Sequence, residues 1–233
     1  MIRAILFDKD GTLTDFRATW EPWMAGMIHE LADASGADPE GIAEDFGFDL
    51  ETGTIPPHAR FVTAPGYVTV DLVARRIGWD RPRLSGWLGP RSSSVSQVVV
   101  PGAVAVLHRL ATAGFTIGVL TNADEAEARR HLDHMGAQTA VSRIIGHDSG
   151  FGAKPDPKGA ANFADALNLA REEVLLVGDG MTDMEAARGA GLPAVGVLTG
   201  TLDRAALAPH ARAVLPDVTH LPDWLAKQAT SAA

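Results

Sequence analysis

The chain has 233 residues, 46% of them hydrophobic and 21% charged, enough for a substantial core in one large or two modest domains. Its formal net charge of −9 argues against nucleic acid or an acidic membrane surface as partner. With no cysteine there are no disulfides, thiolate metal sites or cysteine nucleophiles, and the composition suits a reducing cytoplasm.

The first predicted element is a strand over "AILF" (4–7), reached so early that no signal peptide is expected. No apolar stretch approaches the length of a membrane span. Residues 15–97 then break the strand rhythm. Trp20, Trp23, Met24, Met27, Ile28 and Leu31 form an i, i+3, i+4, i+7 stripe that predicts an amphipathic helix. A second helix is predicted over 66–78, with Val70, Val73, Ala74 and Ile77 on one face, and Pro56–Pro57, Pro65–Gly66 and Gly89–Pro90 punctuate the segment. We read 15–97 as a small helical domain inserted after the first strand. From 98 onward, strand-like runs at 115–120, 173–178 and 193–198 alternate with helical patterns at 102–114 and 156–170. Their near-continuous apolarity suits a parallel sheet covered on both faces, so residues 1–14 and 98–233 are expected to form a doubly wound α/β domain. The "ATSAA" tail is expected to fray.

Reactive side chains follow these strand-like runs directly, at "DKDGTLTD" (8–15), "LTNAD" (120–124), "KPDPKG" (154–159) and "GDGMTDMEAA" (178–187). In open α/β sheets, ligands bind at the carboxyl ends of the strands, so the four stretches are candidates for one crevice. Asp8 and Asp10 pair an attacking carboxylate with a proton donor; a plain Asp/Gly turn is the bland reading. Thr121 and Asn122 suit either an anion cradle at a helix start or ordinary capping. Lys154, flanked by prolines, is placed to neutralise an anion, whereas Lys158 reads as a solvated helix-start residue. Asp179 and Asp183, joined by Asp8, crowd negative charge that a hard divalent cation would relieve. All-oxygen ligation favours Mg²⁺ over zinc. His131 and His134 read as a solvated helical face rather than a metal site.

The order and content of these stretches resemble the haloacid dehalogenase superfamily, in its phosphatase branch with a helical cap and closest to phosphoglycolate-phosphatase-like members. The D-x-D-G-T, strand-end threonine, K-P and G-D-x-x-x-D pattern carries the likeness, and the insertion matches in position, size and helical character. The resemblance implies a Rossmann-like core with an α-helical cap. It also implies a Mg²⁺-dependent phosphatase acting on a small phosphorylated metabolite, as a monomer or homodimer, with a phosphomutase as the alternative outcome and a non-catalytic binding module of the same fold as the remoter one. By matching position it makes Asp8 the nucleophile of an aspartyl-phosphate. Asp10 becomes the general acid/base, lending its carbonyl to Mg²⁺; an acid there argues for a phosphate ester whose leaving group needs a proton. Gly11 and Thr12 would offer backbone amides to the phosphate, Thr121 and Asn122 would hold the phosphoryl group, and Lys154 would balance charge. Asp179 would bind Mg²⁺ and Asp183 would orient it. Lys9, where an apolar residue often stands, either points away from the attacking face or reaches the cap side to assist an anionic leaving group.

Overall fold

A computed structural model describes residues 1–64 and 66–231. Pro65 of the predicted Pro65–Gly66 breaker and the last two residues of the tail lie outside the described residues. The chain divides into two compact units, Met1–Asp15 with Val99–Ala233, and Phe16–Val98.

The first strand, β1, spans Ala4–Phe7. The unit that follows is helical: α1 Phe16–Ser35, α2 Pro39–Phe46, α3 Arg60–Thr63, α4 Gly66–Ile77 and α5 Arg81–Ser93. The tryptophan–methionine stripe lines the buried face of α1, where Trp20, Met24, Met27, Ile28 and Leu31 join Ile42, Phe46, Val73, Ala74 and Leu84 in one apolar core. Asp38 and Asp80 cap α2 and α5, each accepting a backbone N–H with a proline in the first turn.

The α/β unit continues with α6 (Ala103–Thr112), β2 (Thr116–Leu120), α7 (Glu125–His134), β3 (Arg143–Ile145), α8 (Lys158–Ala166), β4 (Val174–Gly178), α9 (Met181–Ala190), β5 (Ala194–Val197), α10 (Arg204–Leu207), β6 (Ala213–Leu215) and α11 (Leu221–Ser231). All six strands are parallel, in the order β3-β2-β1-β4-β5-β6. Edge strands β3 and β6 have three residues each and escaped the sequence reading, because so short a run carries no periodicity. Residues 229–231, expected to fray, continue α11.

Alternation along β1 explains its unbroken apolarity. Ile5 and Phe7 enter a core with residues of α6, α7 and α11, while Ala4 and Leu6 enter a second core with residues of α8 and α9. The sheet order reverses at β1, whose neighbours are β2 on one side and β4 on the other. Phe7 pairs with Val119 and Val177, so the chain beyond each of these three strands emerges at one rim. Thr14 bridges Val99, which brings the two ends of the insertion side by side.

Gly118, in the middle of β2, shows how closely the second core is packed. A Cβ there would lie 2.5 Å from the Phe163 ring and 2.9 Å from Leu6. Gly118→Val should therefore destabilise the protein by about 1–3 kcal/mol through overpacking, read from urea unfolding.

Candidate active site

The rim formed by β1, β2 and β4 collects residues from every stretch singled out above. Asp8 follows β1 directly, its N–H donating to Val177 across the ladder at 2.8 Å. The Lys154 Nζ lies 2.6 Å from Asp8 Oδ1 and 2.7 Å from Asp183 Oδ1. Asp183 sits in the first turn of α9, where an acid is favoured by the helix dipole, and its Oδ2 accepts the Gly180 N–H at 3.0 Å. Asp179 Oδ1 accepts the Thr12 hydroxyl at 3.1 Å. Asp8, Asp179 and Asp183 each offer a carboxylate oxygen within 4.8 Å of the others, and all three residues are buried.

Such crowding has an electrostatic cost. Burial pushes the Asp8 carboxyl up to about 7; Lys154 pulls it back, and Asp183 adds to the rise. Burial raises Asp179 well above the usual carboxylate range, and the charges of Asp8 and Asp183 add to this. For Lys154, burial works against the charged form but is outweighed by Asp183 and Asp8, which hold it protonated above its ordinary value. One ammonium thus faces three carboxylates. A hard divalent cation fits the oxygen donors and the charge that Lys154 leaves uncompensated.

The remaining expected residues are placed less directly. Asp10 stands outside the carboxylate trio, with Oδ1 2.6 Å from Lys9 Nζ. Gly11 donates its N–H to Thr14 O at 2.8 Å and Thr12 donates to Lys9 O at 3.3 Å. In this turn both amides have partners within the motif, and the Thr12 hydroxyl is bonded to Asp179. The Thr121 hydroxyl is buried and accepts the Ala123 N–H at 3.1 Å. Asn122 grips the main chain of Lys154 from both ends of its amide, Nδ2 donating to Lys154 O at 3.0 Å and Oδ1 accepting Lys154 N–H at 2.8 Å. Its side chain therefore acts on the rim by fixing the lysine loop. Lys158 is solvent-exposed and paired with Asp156.

One correction concerns a residue that the sequence reading discounted. His131 is buried rather than solvated; His134 is exposed. Lys9 has no exposure, and its Nζ is bonded to the adjacent Asp10. The sequence reading also missed Thr199 and Gly200. The Thr199 hydroxyl donates to Gly11 O at 2.6 Å. A Cβ on Gly200 would fall 1.7 Å from Asp179 Oδ2, so only glycine permits this approach. The available signal was position: "LTGT" follows the β5 run at the same end of the sheet as the other motifs.

A model of the haloacid dehalogenase-like hydrolases matches residues 2–191. The phosphoglycolate phosphatase of Rhodospirillum rubrum is 29% identical over 97% of this chain and 91% of its own. That of Cereibacter sphaeroides is 31% identical over 81% of each. Among solved structures, a predicted phosphoglycolate phosphatase from Haemophilus somnus superposes with a TM-score of 0.71 at 19% identity, covering 96% of this chain and 98% of that one, a likeness of fold. Among the described residues no helix is long and apolar enough to cross a membrane.

Lys154→Met should cost about 3–5 kcal/mol in chelator, because it strips a buried cluster of its counter-charge. Urea unfolding checks this, and added Mg²⁺ should recover part of the loss.

Proposed function

Since this chain belongs to the haloacid dehalogenase-like hydrolase family, we propose that it is a Mg²⁺-dependent phosphatase of a small phosphate monoester, phosphoglycolate or a close analogue. The observation that carries the reading is the pair of contacts from Lys154 to Asp8 and Asp183, with Asp179 in the same buried cluster. The names of the relatives supply the substrate class, and the acid at position 10 supplies the reason for an ester.

In this mechanism Asp8 attacks phosphorus. The bond from phosphorus to the ester oxygen breaks as Asp10 protonates that oxygen, and an aspartyl-phosphate remains on Asp8. Asp10 then takes a proton from water as the water attacks the phosphoryl group, which frees inorganic phosphate and restores Asp8. Lys154 balances charge at Asp8 throughout, and Thr121 holds the phosphoryl group through its hydroxyl. Asp8, Asp179 and Asp183, with the main-chain carbonyl of Asp10, would hold Mg²⁺, which neutralises phosphoryl charge when bound. Phosphoryl transfer asks chiefly for positioning and charge stabilisation, which these groups provide. We assign residues 15–97 the role of cap and the protein to the cytoplasm.

A screen of phosphorylated metabolites with Mg²⁺ tests the reading by stoichiometric release of inorganic phosphate. Transfer to a sugar phosphate without release would mark a phosphomutase instead. Asp8→Asn should abolish turnover while leaving the fold, read from the circular dichroism spectrum, intact; retained turnover would remove Asp8 as nucleophile. Chelator should silence the wild type and Mg²⁺ should restore it, and chelator-resistant turnover would point to another mechanism.

A further inference from the structure

Lys9 stands between the two acids that follow β1, wholly shielded from solvent. Lysine is almost never fully buried unless paired, because its ammonium is expensive to desolvate. The Nζ partner is Oδ1 of Asp10, at 2.6 Å, whose side chain keeps 20% exposure. Of this bonded pair, the cation is fully shielded and the acid keeps partial exposure. The α7 helix contributes Glu127 and His131 to the same electrostatic neighbourhood, one helical turn apart. His131 Nδ1 is 4.0 Å from Glu127 Oε1, beyond hydrogen-bond reach, and neither ring nitrogen has a hydrogen-bond partner among the described residues. Burial, with the Lys9 charge second, pushes His131 down to about 4, so the ring is neutral near pH 7 and adds no competing cation. Among the described residues, Lys9 Nζ is bonded to Asp10 and feels the longer-range pull of Glu127.

We propose that Lys9 is a positioning residue: it holds Oδ1 of Asp10 and so aims the carboxyl group that protonates the leaving oxygen. The inference rests on the phosphatase reading above and deepens it. As the Asp8–phosphorus bond forms and the phosphorus–ester oxygen bond breaks, the electron pair stays on the ester oxygen, and that oxygen takes the Asp10 proton. Lys9 touches neither reacting atom. Its effect is geometric, and a misplacement of about 1 Å in a catalytic group is worth roughly a hundredfold in rate.

The test uses Lys9→Met, which keeps much of the length of the side chain and removes the ammonium. The readout is kcat/KM, which reports steps through leaving-group departure, for an alkyl ester (phosphoglycolate) and an aryl ester (p-nitrophenyl phosphate) whose leaving group needs no proton. Loss should be at least about tenfold on the alkyl ester and under about twofold on the aryl one. In an Asp10→Asn background the same change should cost nothing further, since a residue acting through another is non-additive with it. Equal losses on both esters, or the same loss in both backgrounds, would overturn the proposal. If Lys9→Met does not fold, Lys9→Gln, which retains a neutral donor, is read in the same way. If the wild type cleaves no ester, the phosphatase reading fails on its own. A crystal structure of the variant then decides the positioning: a displaced Asp10 carboxylate supports it and an unmoved one overturns it.

Discussion

The ammonium of Lys154, shared between Asp8 and Asp183 inside the protein, is the contact on which the rest of the rim depends. Three buried carboxylates within a few ångströms cannot all be charged in a low-dielectric setting without opposing charge. Lys154 supplies one unit and leaves a deficit that suits a divalent cation. It also ties three separate pieces of chain together: the end of β1, the loop before α8, and the first turn of α9. Asn122 makes this possible by bonding both main-chain groups of Lys154, so that the loop is held from the end of β2.

The sheet supplies the frame for that contact. Because β1 lies between β2 and β4 and is apolar on both faces, it is held by two cores and two ladders, and Asp8 follows its last residue. The acids after β4 are placed by equally close means. Asp179 accepts Thr12 and is approached by Gly200, while Asp183 caps the N–H of Gly180. Each of these bonds spends a lone pair on protein and restricts where the remaining oxygens point. These short backbone and side-chain constraints aim the carboxylates at the charge that Lys154 supplies.

Two lysines divide the work at the end of β1. Lys154, from the loop before α8, is paired with Asp8, and Lys9 is paired with Asp10. The i, i+2 spacing lets two acids sit almost together while each has its own cation. The two carboxylates thus stand in different environments, a recurrent way in which like groups can be given unlike tasks.

Much of this was legible in the residues. The strand runs at 4–7, 115–120, 173–178 and 193–198 and the helix stripe at 20–31 declare themselves, because apolar periodicity reports which faces must leave water. The chemical type of the rim was also readable, but only from the four stretches taken together, since each alone also reads as a turn, a cap or a surface lysine. What tertiary structure decided was direction and partnership. It turned Lys9 inward, buried His131, committed the amides of Gly11 and Thr12 to their own turn, and brought Thr199 and Gly200 to the rim. Sequence pattern encodes burial one residue at a time, whereas a hydrogen bond between positions 12 and 179, or 199 and 11, exists only after the sheet has set its strand order.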